Sequence, residues 1–170
     1  RQGIQTGKFD MVSHSMGGLV TRYYTSGRDY ISSGNVRKMI FLSVPHSGSP
    51  LASIGTSYFD DQGVKDMLPQ SQILSSELPS MINRGLNDSI QAGNILGQYD
   101  EVVSTESADL EEWGIPTYIY NVGENRLTMD NVLDGSIFQT ANHKNILNNR
   151  KVFEKIEEML NSPLPYPLKK

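Results

Sequence analysis

The apolar positions of this chain fall into a few strong blocks separated by polar stretches. The first is short: apolar positions over 9–12 end at Met11-Val12 and run straight into the small-residue turn Ser13-His14-Ser15. Leu19, Val20, Tyr23 and Tyr24 then recur at helical spacing, and Gly27 is a natural stop. Residues 37–44 and 116–122 are near-continuous apolar runs rich in β-branched and aromatic side chains, the composition of buried parallel strands. A weaker strand is predicted near 133–138. Val152, Phe153, Ile156, Met159 and Leu160 mark one face of a last helix, with Glu154, Lys155, Glu157 and Glu158 on its wet face. Ser162-Pro163 ends that helix, and 163–170 reads as a Pro-rich tail. Strands alternating with helices predict an α/β fold with a mostly parallel sheet flanked by helices.

Between the two strong strands lies a long excursion, 53–112. Met67, Leu68, Ile73, Leu74, Leu78, Met81, Ile82 and Leu86 predict helices that bury one face against the sheet, and some of these side chains could line an apolar pocket. Gly85, Gly93 and Gly97 loosen its second half, and 100–112 reads as an acidic surface turn before Trp113.

Composition narrows the function classes. With 170 residues, 37% hydrophobic and 20% charged, the chain is long enough for one domain with a real core. A net charge of −4 and the lack of any basic cluster argue against nucleic acid as a partner. No apolar run reaches the length of a membrane span. There is no cysteine, which excludes disulfides and thiolate metal sites. No His/Asp/Glu spacing suits a metal and no glycine-rich loop suits a phosphate, so no cofactor is expected.

The chemistry concentrates at Ser15. A serine on a tight strand-to-helix turn projects its Oγ clear of the backbone, flanked here by the small residues Ser13 and Gly17. The following helix aims unpaired N–H groups at it, and the Met16 N–H is placed to meet a developing oxyanion. Such a nucleophile needs a base. The chain has three histidines. His14 sits beside the serine and must point to the other side of the turn. His46 follows the second strand, where packing competes with lining the site. Both are candidate substrate-contacting side chains. His143 lies in a polar loop before the last helix.

Residues 14–20, His-Ser-Met-Gly-Gly-Leu-Val, resemble the nucleophile elbow of the α/β-hydrolase superfamily on its lipase/esterase side, close to bacterial lipase-like acylhydrolases. Residues 38–52 resemble that family's next strand and its Thr-Pro-His-x-Gly-Ser loop, with Val44 for the threonine and Ser47 where a basic residue is frequent. Ser13 replaces the usual first glycine of the elbow. Residues 68–74 are similar to the lipase Pro-x-Ser turn that leads into a helix. The resemblance implies His143 as base and an acid between the 116–122 strand and that histidine. Asp130-Asn131-Val132-Leu133 resembles the family's Asp-Gly-Val-Val stretch, which implies Asp130 as the acid, with Asp134 second and Glu124 weaker.

The implied organisation is a partial α/β-hydrolase domain over 1–162, a helical cap-like insertion over 53–112, and the tail. Because the family places several strands before its nucleophile, the resemblance also implies front strands missing from this chain. It would then be a fragment, or one half of a split hydrolase whose partner is the N-terminal half. The implied activity is hydrolysis of a small-molecule ester or lipid through a Ser15–His143–Asp130 triad and an acyl-enzyme. The alternatives are an acyltransferase on the same triad, or a non-catalytic interaction module.

Overall fold

The structure is a computed structural model that describes residues 7–49, 52, 62–123 and 142–170. Four parallel strands form one sheet in the order β1 (Phe9–His14), β2 (Val36–Leu42), β3 (Gln91–Gln98) and β4 (Thr117–Asn121). Parallel neighbours need crossovers, and helices supply them. On one face lie α1 (Met16–Ser26), α2 (Arg28–Ser33), α3 (Gln62–Asp66) and a π turn, Ile73–Glu77, continued by α4 (Leu78–Ser80). On the other face lie α6 (Asn142–Asn145) and α7 (Arg150–Asn161). The short α5 (Thr105–Ala108) follows β3.

Strand β2 shows why the sheet is covered on both sides. Met39 and Phe41 pack into the core with Leu19, Leu78 and Leu86, while Ile40 and Leu42 pack against Ile146, Val152, Ile156 and Met159. Alternate side chains point to opposite faces, so a strand buried on both sides reads as an unbroken apolar run. At the same strand the buried Lys38 reaches the C-terminal end of α7 and donates to the carbonyls of Met159, Leu160 and Ser162 at 2.7–2.8 Å. A cation there satisfies orphan carbonyls and meets the negative end of the helix dipole.

Three expectations change. The excursion 53–112 contains β3, a central strand pairing with both β2 and β4. Its sequence, Gln-Ala-Gly-Asn-Ile-Leu-Gly-Gln, hides it because the glycines thin its apolar signal. They serve close packing: a Cβ on Gly93 would meet Met159 Sδ at 2.9 Å, and one on Gly97 would meet Val122 at 3.0 Å. Asn94 is buried but donates to Ala108 O at 2.6 Å and Thr117 Oγ1 at 2.9 Å. Second, β4 is an outer strand among the described residues, with Tyr118 and Ile119 exposed. Third, α1 forms as expected, but of the expected face only Leu19 is buried. Leu19, Thr21, Arg22, Thr25 and Ser26 point inward, while Val20, Tyr23 and Tyr24 are exposed. The strand predicted near 133–138 lies outside the described residues.

Arg22 explains how a polar face can be buried. Its guanidinium donates to Gly85 O, His46 O and Arg84 O at 3.0–3.1 Å and stacks 5.8 Å from the Trp113 ring. Burial pushes its pKa down to about 10, helped by the neighbouring Arg84 charge. Nearby, Thr25 donates to Thr21 O, and Asn87 donates to Thr25 O, both at 2.7 Å. Buried polar groups are tolerated when paired in this way.

Candidate active site

Ser15 stands between β1 and α1 with φ 55° and ψ −135°. Its N–H donates to Leu42 O at 3.0 Å, and its carbonyl accepts from Gly18 at 2.9 Å. A non-glycine residue in this region costs about 1–3 kcal/mol and persists only when its surroundings hold it. Two contacts do so. Ser13 Oγ and Thr21 Oγ1 are 2.6 Å apart, tying strand to helix. Gly18 lets α1 lie against the turn after β2, since a Cβ there would sit 2.2 Å from Val44 Cγ2. Gly17 faces open space instead, so the steric demand for glycine falls on Gly18 rather than on Gly17.

His143 reaches the serine from the far end of the sequence, carried by α6. Its Nε2 lies 2.8 Å from Ser15 Oγ. Its Nδ1 lies 2.9 Å and 3.1 Å from the two carboxylate oxygens of Asp100. Facing only carboxylate oxygens, Nδ1 carries the proton, which leaves Nε2 as an acceptor for the Ser15 hydroxyl. Asp100 is in turn held. Its Oδ1 accepts from the N–H groups of Val102 and Val103 at 3.0 and 2.9 Å, and its side chain is 1% exposed. The turn that presents it passes through Tyr99 at φ 58°. Tyr99 O also accepts from Asn142 Nδ2 at 3.1 Å, binding the two loops together.

The carboxylate on His143 is therefore Asp100, which the sequence reading placed in a surface turn. Asp130, Asp134 and Glu124 lie outside the described residues. The contacting acid thus follows β3, a strand the sequence pattern conceals, whereas the motif resemblance points to the stretch after β4. A signal was present: Asp100-Glu101-Val102-Val103 keeps the aspartate and both valines of the Asp-Gly-Val-Val stretch.

The other nominated residues separate. His14 stacks on His143 with ring centres 4.6 Å apart, and its Nε2 donates to His143 O at 2.9 Å. Burial, then the nearby His143, lowers its pKa below the usual imidazole range. It touches the cavity around Ser15 while bracing the turn that holds His143. His46 does not line that cavity. It is buried edge-on against Phe41 at 4.9 Å, with Nδ1 3.3 Å from the Arg22 guanidinium. Burial, then Arg22, holds its pKa well below the usual range. The chain turns at Pro45-His46 and buries the ring between Phe41 and the Arg22 side chain of α1. Met16 is the first residue of α1 and lines the cavity. The cavity is about 560 Å³, and besides the serine and His143 it is lined by His14, Met16, Val64, Met67, Lys144 and Leu147.

Glu101 sits beside Asp100 with both carboxylate oxygens buried, near the backbone N–H groups of Asn142 and His143. Burial raises its pKa, and the adjacent Asp100 adds to the rise. Among the described residues no helix is long and apolar enough to cross a membrane.

No curated protein matches the chain. Among solved structures, phospholipase PlaB from Legionella pneumophila in complex with thio-NAD is similar over 60% of this chain, at 18% identity and a TM-score of 0.45. This chain spans 27% of the length of that one. The model of the PGAP1-like alpha/beta domain matches residues 3–112, a span that takes in the Ser15 elbow, β2, β3 and Asp100. The chain belongs to the PGAP1-like alpha/beta domain family, an α/β-hydrolase-like family.

Proposed function

We propose that the chain is a serine hydrolase that cleaves carboxylic esters of lipid type through Ser15, His143 and Asp100. Ser15 Oγ attacks the ester carbonyl carbon while His143 Nε2 takes its proton. Asp100 holds the Nδ1 proton and stabilises the imidazolium. The Met16 N–H, at the positive end of α1, donates to the oxyanion. The C–O bond then breaks, the alcohol leaves with the proton from His143, and water cleaves the acyl-enzyme by the same route.

The observation that carries this reading is the unbroken line Ser15 Oγ–His143 Nε2 at 2.8 Å and His143 Nδ1–Asp100 at 2.9 Å. Three separate segments meet to make it, and a strained serine backbone conformation is maintained at its tip. A solvated loop histidine would need neither.

The test is labelling with a fluorophosphonate, with the modified peptide located by mass spectrometry. Labelling at Ser15, abolished in Ser15→Ala and slowed at least 100-fold in His143→Ala, is the expected result. A folded protein that labels elsewhere, or not at all, overturns the proposal. Product analysis with an added alcohol separates hydrolysis from acyl transfer.

A further inference from the structure

Helix α1 presents its faces the wrong way round for an ordinary amphipathic helix. Its inner face buries the polar residues Arg22, Thr25 and Ser26 beside Leu19. Its outer face carries Met16, Val20 and Tyr23, at 39%, 61% and 42% exposure. These are spaced i, i+4 and i+7, so they form one stripe along the helix. The stripe begins at the residue directly after Ser15.

The segment from α3 to the π turn lies across that stripe. Met16, Val20 and Tyr23, with Leu19 and Ile73, line a cleft of about 230 Å³. Met16 also lines the cavity around Ser15, so cavity and cleft adjoin at this side chain. Asp66 and Glu77 complete the cleft lining. Gln62 and Gln72 donate amide hydrogen bonds to these two carboxylates. The Tyr23 phenol is held above its ordinary range by its hydrogen bond to Glu77.

We propose that this cleft is the acyl-chain subsite of the Ser15 site, selecting an unbranched, uncharged acyl chain of medium length. The inference rests on the ester-hydrolase reading. A chain whose carbonyl sits at Ser15 meets Met16 first and then follows Val20 to Tyr23. From Met16 to Tyr23 the helix rises roughly 10 Å, room for about eight methylenes. The wall is apolar along Met16, Leu19, Val20 and Ile73, which suits an alkyl chain, and turns polar at Tyr23, Asp66 and Glu77. Those two acids repel a chain that ends in a carboxylate.

The experiment is a p-nitrophenyl ester series from acetate to palmitate on the full chain. The expected result is that kcat/KM rises up to about fourfold per methylene and levels off near eight to ten carbons. Val20→Trp fills an exposed position in the cleft and should cut the octanoate-to-acetate ratio of kcat/KM at least tenfold. Glu77→Gln is an independent probe. It should raise turnover of the ester of a ω-carboxy-octanoyl chain relative to the plain octanoyl ester. A flat chain-length series, or turnover ratios unmoved in both variants, overturns the subsite while leaving the ester hydrolase standing. If no ester turns over and Ser15 is not labelled, the function reading falls and the subsite with it.

Discussion

At the scale of single residues, Asp100 and His14 act on His143 from two directions. Asp100 bonds the ring, and His14 bonds the backbone carbonyl. If Asp100 fixes the tautomer, then Asp100→Asn presents an amide that can stabilise the wrong one, and kcat should drop about 10²- to 10⁴-fold with little change in stability. Asp130→Asn should lose far less than that. Steady-state kinetics of the two variants decide between the carboxylate in contact and the one implied by motif resemblance. Ser15 was legible in the sequence because its signal is local: a strand, a tight turn and a helix in one short stretch. Asp100 was not, because its role depends on where β3 lies, and β3 is written in glycine, asparagine and glutamine.

At the scale of elements, α7 and β2 are joined through one buried ammonium. Lys38 donates to three carbonyls at the end of α7, and burial lowers its pKa. Replacing it with Met keeps the apolar stem but strands those carbonyls, at a cost of about 1–3 kcal/mol. Lys38→Met should therefore lower the midpoint of urea unfolding with an unchanged m-value, and hydrogen exchange should quicken first at the C-terminal end of α7. At the other end, Asn149 caps α7 by accepting from Lys151 and Val152, as its side-chain chemistry favours. The existence of α1 and α7 followed from spacing. The face that α1 buries did not, since spacing counts apolar residues and cannot foresee that Arg22 will be satisfied by carbonyls from another segment.

At the scale of the whole molecule, folding places two histidines where the charged form is disfavoured, His46 buried and His14 half-buried at the cavity. His46 and His14 both have pKa values lowered by burial. The unfolded chain thus binds protons near the ordinary value of about 6.5 while the folded chain resists them, so stability is lost as pH falls below that point. Glu101 works in the opposite sense, because its raised pKa removes stability as pH rises above the unfolded carboxyl value. Thermal melts should show Tm falling between pH 7 and pH 5, and His46→Asn should flatten that fall. A Tm independent of pH across this range would contradict the buried neutral state. The fold class, the Ser15 elbow and the strands β1 and β2 were legible along the chain, because they rest on short-range periodicity or on a motif contained within one segment. His143 entered only through the family resemblance. Packing in three dimensions instead set the path of β3 through 53–112, the contact of Asp100 with His143, the burial of His46 away from the Ser15 cavity, and the apolar stripe that α1 turns toward the cleft. Each of those depends on which distant groups meet. A buried polar side chain or a glycine at a close contact takes its meaning from its partner, and the partner's place is set by the packing of the whole chain.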